Sequence, residues 1–552
     1  MSRQIASFIP LFWQPHLEID CEIMKRHLDE GDSVRAFICN AELPSCYGNL
    51  QGDKDVCGTC RYRRRNAIDV LGLHDVQLQG YLFIKPENEE ILQKYRGLKI
   101  TNVDELFAVE YDGCAIGRTI FNELTSHIRD NEPDLSEHSD YIAKAVESFM
   151  LVYLSFLNHF ETFRPDRFYT FNGRFVVAKA ALSAAKKFGI PFAVHDRAFS
   201  MNKFVTVFDD SLHSVKYWST QAMNFWNESP ESVETKTAIA ENWFAERVRG
   251  QKQGWYSFVT EQGSDLPESF DPNKTNLVIF NSSEFETVGM EDFNLPFYDS
   301  QNEALERLAH DLAADPDVKV YLLMHPNLKG RNNVQTKFIE EKLTGVVPNF
   351  EVIPAESPVS TYNLMRNASA VLTFGSMTGV ESAFNGVPSI LLGPCWYQDF
   401  GFCYRPQSHE ELVKSILSRS FKISEEEKLR RRQNTIPYAY FMSSYGRPLL
   451  HFKQTDVCEA HPIGSATSIG YSAPSYEDGL KKELEARVEL AGLRSNPLAS
   501  TVEELMGVIE QLRADNRDLK LSASSLAPAV SHESGSRLKR VVRRVIGRTL
   551  GR

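Results

Sequence analysis

What most limits this chain is a pattern that occurs twice along it. Short runs of branched and aromatic residues alternate with longer amphipathic runs, and the joints between them hold glycine, serine and asparagine. SFIPLFW reads as a strand, and the following segment has apolar residues at Leu17, Ile19, Ile23, Met24 and Leu28, near helical spacing, ending at Gly31. SVRAFIC is a second strand. A strand–helix–strand opening implies parallel pairing, because parallel neighbours need a crossover. Residues from about 90 to 165 read as mostly helical, and RFYTFNGR, FVVAKAALSAAKKFG and IPFAVHDR then repeat the unit. After the polar stretch EQGSDLPESFDPNKT, read as a linker, the pattern restarts with TNLVIFNSS and runs through VKVYLLMHP, FEVIP, AVLTFGS and VPSILLG, each followed or preceded by a helical run.

The expected architecture is α/β, with two Rossmann-like, doubly wound domains facing a cleft. The first covers residues 1–265 and the second 275–425. Residues 426–455 read as helices packing back across both. Residues 456–552 read as linker, short coiled coil (Leu505, Val508, Leu512, Leu519) and basic tail. The 552 residues are 42% apolar, enough for large cores, and the net charge of -12 argues against a general nucleic-acid binder. The tail after Ser536 carries seven basic residues and no acid. Its Leu538, Val541, Val542, Val545, Ile546 and Leu550 fall near helical spacing among those cations, the pattern of a helix lying on an anionic membrane surface. The N-terminus lacks a signal-peptide layout. The most apolar run, Ser148 to Leu157, is shorter than the about 20 residues of a membrane span. The expected location is therefore the cytoplasm, peripheral to the inner face of the cytoplasmic membrane.

The densest site signal is TFGSMTGVESAFNGVPSILLG. A strand runs into a loop with Gly375, Ser376, Met377, Thr378 and Gly379, then a helix carrying Glu381. Backbone N–H groups and a helix start suit an anion, and a carboxylate can accept from ribose hydroxyls. A tight turn with a capped helix is the plain alternative. Cys39, Cys46, Cys57 and Cys60 fall in one short stretch that ends in CGTC. Four thiols suit a structural zinc, favoured here, or an iron–sulfur cluster; four reduced, unliganded cysteines in a loop is the alternative. RYRRR just after them reads as an anionic-substrate patch or a solvated face.

The order HPN, FGSMTGVESAFNGVPSILLG and WYQDFG resembles the nucleotide-binding half of GT-B glycosyltransferases and sugar-nucleotide 2-epimerases, and more specifically the Kdo-transferase-like capsule polysaccharide proteins. FNGR followed by HDR is similar to a pattern of surface polysaccharide biosynthesis proteins, in which the second element reads His-Glu-Arg; Asp196 stands here in place of that glutamate. The resemblance implies a metal-independent transfer of sugar from a nucleotide-sugar donor (a CMP- or UDP-sugar) to a glycan or lipid-linked acceptor in bacterial capsule or surface polysaccharide assembly. It implies His325 on donor phosphate, Ser376, Met377, Thr378 and Gly379 cradling it, and Glu381 on ribose. Ser282, Ser283 and Glu286 occupy the first loop of the second domain. In the first domain, Asn172 and Arg174 are further nucleotide-sugar-binding candidates; Arg174, Arg197 and, from the second domain, Lys329 are candidates for charge stabilisation, and His16, Glu18, Asp20 and Asp196 for the base. An epimerase or hydrolase on the same scaffold, and a non-catalytic scaffold that recruits partners or oligomerises through the coiled coil, are the alternatives.

Overall fold

The structure, a computed structural model, describes residues 2–255, 263, 265–464 and 469. The coiled-coil and basic-tail expectations lie outside the described residues.

The first half contains β1 (Gln4–Ile9), β2 (Ser33–Ile38), β3 (Gln77–Gly80), β4 (Arg167–Phe171), β5 (Phe192–Arg197) and β6 (Lys203–Phe208). Its helices are α1 (His16–Asp29), α2 (Lys54–Val70), α3 (Glu89–Tyr95), α4 (Val103–Phe107), α5 (Ile116–Ile128), α6 (Ser139–Thr162), α7 (Val176–Lys187), α8 (Val215–Glu228) and α9 (Val233–Val248). The strand order is β6-β5-β4-β1-β2-β3. β1 to β5 pair in parallel, and β6 turns back antiparallel on β5. The order reverses between β1 and β4, so this sheet has its switch point there. The apolar Ser148–Leu157 run is the middle of α6, with Phe149, Met150, Val152, Leu154 and Phe156 all buried against the sheet and its helices.

The second half has β7 (Thr275–Phe280), β8 (Val318–Leu323), β9 (Phe350–Ile353), β10 (Ala370–Thr373), β11 (Ser389–Leu391) and β12 (Cys403–Tyr404), all parallel, in the order β9-β8-β7-β10-β11-β12. β7 is buried at every position, as expected of a strand covered on both faces. The helices are α10 (Gln301–Leu312), α11 (Val334–Lys342), α12 (Thr361–Asn367), α13 (Thr378–Phe384), α14 (His409–Leu417) and α15 (Glu425–Ser444). α10, α12, α14 and α15 each begin on a serine (Ser300, Ser360, Ser408, Ser424) whose hydroxyl accepts an amide N–H three residues on, which satisfies a donor the helix itself leaves open. Phe280 lies beside Leu323 in β8 and beside Thr373 in β10. The residues after all three strands therefore leave the sheet at one level, at this domain's switch point.

α15 is one continuous helix through Pro437, packed on α8, α9 and α13. β13 (Arg447–Pro448) then adds to the free edge of β6, and the hairpin β14 (Phe452–Asp456) and β15 (Glu459–Pro462) follows. Leu449, Phe452 and Ile469 complete the core under β1 and β2, so the chain ends its described part on the first sheet.

Among the described residues no helix is long and apolar enough to cross a membrane.

Candidate functional site

The loop after β10 is shaped by its own side chains. Thr373 Oγ1 accepts the N–H groups of Gly375 (3.3 Å) and Ser376 (2.8 Å), so these two donors are taken within the loop. Ser376 Oγ accepts from the Thr378 hydroxyl at 3.0 Å, and the Tyr397 hydroxyl donates to Ser376 O at 2.5 Å. Gly375 has φ +120, a conformation that a side chain would strain, and a Cβ there would sit 3.2 Å from Pro394 O. Gly379 is small for a different reason. A Cβ on it would lie 2.6 Å from the Tyr397 hydroxyl and 2.8 Å from Thr373 Cγ2, so Gly379 serves the packing of α13 on Tyr397. Met377 turns its thioether toward the Tyr438 hydroxyl at 3.9 Å.

His325, Ser376, Thr378 and Glu381 line one pocket at the switch point of the second sheet, together with Arg247 and Tyr362. His325 follows β8. Its backbone N–H donates to Asn281 Oδ1 at 2.8 Å, and its Nδ1 accepts the Asn327 N–H at 3.2 Å. That bond puts the ring proton of the neutral imidazole on Nε2. Burial lowers the His325 pKa, against the charge of Glu286. Glu286 Oε1 itself accepts from Ser283 Oγ (2.9 Å) and from Asn327 Nδ2 (2.6 Å).

Glu381, 3% exposed, accepts from Arg247 Nε and from the Tyr362 hydroxyl, both at 2.6 Å on Oε1. Burial opposes the charge of Arg247, and Glu381 together with Tyr362 and Tyr438 outweighs it and holds the guanidinium above its ordinary value. Burial also pushes the Tyr362 hydroxyl up. Arg247 comes from α9, 134 positions away in sequence, and no local pattern marks it. Trp255 lines the same pocket, with the Arg197 guanidinium 4.8 Å from its ring centre. Arg247, Tyr362 and Trp255 are thus pocket residues that the sequence reading missed.

A second group gathers at the ends of β4 and β5. Asn172, in a left-handed conformation (φ +56), donates from Nδ2 to Asp196 Oδ2 at 3.0 Å and accepts from His213 Nε2 at 3.2 Å. His16 Nδ1 stands 3.4 Å from Asp196 Oδ1, and its ring packs on Phe171. Burial drives the His16 pKa down to about 4 against the pull of Asp196, and burial with the Arg174 charge takes His213 to about 3. Both rings are neutral near pH 7. Arg174 Nη1 donates to Glu286 O at 3.0 Å, a link from the first half to the second. Burial lowers its pKa, and its Nε has no hydrogen-bond partner.

Other expected residues fall elsewhere. Asp20 is 2% exposed and bonded to His195 Nε2 at 2.7 Å, closed off from the cleft. Glu18 is an internal partner of Arg63, and burial raises its pKa to about 7. Ser282, Ser283, Gly375 and Met377 line a second space, which His325 does not border. The RYRRR segment is neither patch nor solvated face. Arg61, Arg63, Arg64 and Arg65 are all under a tenth exposed. Arg61 and Arg64 donate to the Asn40 and Cys39 carbonyls, Arg63 to Phe12 O and Ile469 O, and Arg65 to Asp69. The four cysteines line one cavity, and no three of their sulfur atoms lie within 4.8 Å of one another.

Two doubly wound α/β halves, linked by bonds such as that from Arg174 Nη1 to Glu286 O, make up a GT-B-like fold. No family model and no curated protein matches the chain. Among solved structures it is similar to the beta Kdo 2,4 transferase KpsC of Thermosulfurimonas dismutans, at 16% identity and TM-score 0.33, over 50% of this chain and 78% of that one. It is similar to the calicheamicin glycosyltransferase CalG4 at 12% identity and TM-score 0.24, over 80% of this chain and 95% of that one. A UDP-GlcNAc 2-epimerase from Neisseria meningitidis bound to UDP-GlcNAc has 11% identity and TM-score 0.26, over 80% and 97% of the two chains.

Proposed function

We propose that this protein is a nucleotide-sugar-dependent glycosyltransferase that serves bacterial surface polysaccharide assembly. The observation that supports the reading best is the single pocket where His325, Ser376, Thr378, Glu381 and Arg247 converge at the switch point of the second sheet. Ligands of open α/β sheets bind at such points. The donor's phosphates would take the Nε2 proton of His325 and the hydroxyls of Ser376 and Thr378. The nucleoside would lie toward Glu381 and Tyr362, so that its ribose hydroxyls exchange hydrogen bonds with a carboxylate already oriented by Arg247. Arg197, near Trp255 at the pocket's rim, would stabilise the charge that develops on the leaving phosphate.

The acceptor would enter from the first domain. A cavity of about 910 Å³ lies beside Asn172, Arg174 and His213, room enough for a sugar unit. His16, neutral and next to Asp196, would take the acceptor hydroxyl's proton as the hydroxyl attacks the anomeric carbon and the nucleotide leaves; Asp196 would hold the resulting imidazolium. This chemistry asks of the protein positioning, charge stabilisation and one base, with no metal at the reacting centre.

The reading is tested by incubating the full chain with UDP- and CMP-sugars, with and without glycan and lipid-linked acceptors. Acceptor-dependent release of nucleotide, reduced about 10²- to 10⁴-fold in kcat by His16→Ala with little change in donor KM, is expected. Release of free sugar without any acceptor would favour an epimerase or hydrolase. Lack of binding to every nucleotide sugar would favour a scaffold.

A further inference from the structure

The cysteine-lined cavity is independent of the donor pocket and has no part in the chemistry above. Cys39 follows β2, Cys46 lies in the next loop, and Cys57 and Cys60 sit one turn apart in α2, so their side chains share a helix face. All four border one cavity, with Phe8, Leu11 and Phe12 from the end of β1 and Val56 of α2 on its walls. None of the four is in a disulfide.

We propose that Cys39, Cys46, Cys57 and Cys60 together ligate an iron–sulfur cluster of the four-iron type. Spacing speaks against a closed zinc site. Zinc at about 2.3 Å from each sulfur would bring four thiolates to roughly 3.8 Å from one another. Here no three sulfurs come within 4.8 Å. A cubane cluster binds each thiolate at a different iron corner and so holds its ligand sulfurs farther apart, around a volume of its own.

Charge and hydrogen bonding agree with it. A cluster held by four thiolates is a net anion, and Arg64 beside Cys60 is 2% exposed, with its Nη1 lacking any hydrogen-bond partner while Nη2 donates to Cys39 O at 2.6 Å. A guanidinium buried with an open N–H is costly unless an acceptor or anion stands near it. Asn49 Nδ2 already donates to Cys57 Sγ at 3.2 Å, the kind of N–H···S contact that supports a cluster ligand. The cluster's role would be to pin the 39–53 loop and α2 onto the end of β1, the strand that leads into His16. No electron transfer is required of it.

The test is metal content. The full chain, produced without a histidine tag and purified without oxygen, should contain about four iron and about four acid-labile sulfide per chain, with broad visible absorption. Cys57→Ser and Cys60→Ser should each lower iron to below about one per chain, while Cys114→Ser leaves it unchanged. Zinc near one per chain without sulfide, or no metal at all in the wild-type chain, would overturn the proposal even if every variant failed to fold.

Discussion

Glu381 is a joint between the two halves of the molecule as much as a pocket residue, and removing its charge should loosen both. Arg247 Nε and the Tyr362 hydroxyl each lie 2.6 Å from Glu381 Oε1. The glutamate side chain is 3% exposed and the arginine 26%. Breaking a fully buried ion pair by deleting one partner costs about 3–5 kcal/mol. The partial exposure of Arg247 lets water screen the pair, which brings the expected cost down to about 2–3 kcal/mol. The perturbation is a double-mutant cycle with Glu381→Gln, Arg247→Met and both together, read from the first unfolding transition in urea. Each single variant should lose about 2–3 kcal/mol, and the double variant should lose little more than either, which corresponds to a coupling of about 2 kcal/mol. A coupling within about 0.5 kcal/mol of zero would show that the two side chains do not hold each other, and the reasoning from burial would fall.

His325→Ala should weaken binding of UDP or CMP by about ten- to a hundred-fold, the loss of one charge-assisted hydrogen bond, with the unfolding midpoint little changed; isothermal calorimetry and urea denaturation check the two parts. Gly379→Ala should destabilise by about 1–3 kcal/mol in the same denaturation assay, because its Cβ would meet the Tyr397 hydroxyl at 2.6 Å. The basic tail should carry the full chain down with anionic vesicles at low salt and release it as salt rises, whereas a chain ending near residue 530 should stay in the supernatant; equal sedimentation of the two would show that the tail is not the anchor.

Much of the scaffold is legible in the sequence because period and punctuation agree. TNLVIF, VKVYLL, FEVI, AVLT and SIL are mostly apolar and end at polar or glycine-containing joints, and each is a parallel strand. α2 is not legible, because half of its buried residues are arginines, which find backbone carbonyls, a buried glutamate and Asp69 as partners. β3 is QLQG, with Leu78 its one large apolar residue, and its pairing with β2 places it in the sheet where its composition would not. In the pocket, the loop and His325 carry local signals, a strand end followed by glycine or proline. Arg247 does not, since its meaning comes from a contact 134 positions away. Gly379 carries a signal of a different kind, since its place in a phosphate-like motif suggests ligand contact while its environment also demands a glycine for helix packing against Tyr397.

The central claim is that a nucleotide diphosphate or monophosphate binds where β7, β8 and β10 end. A crystal structure of the full chain soaked with UDP or CMP tests it most directly. The account predicts phosphate within hydrogen-bond distance of His325 Nε2 and the Ser376 and Thr378 hydroxyls, with the ribose toward Glu381. Nucleotide bound elsewhere on the molecule, with that pocket filled only by solvent, would contradict it.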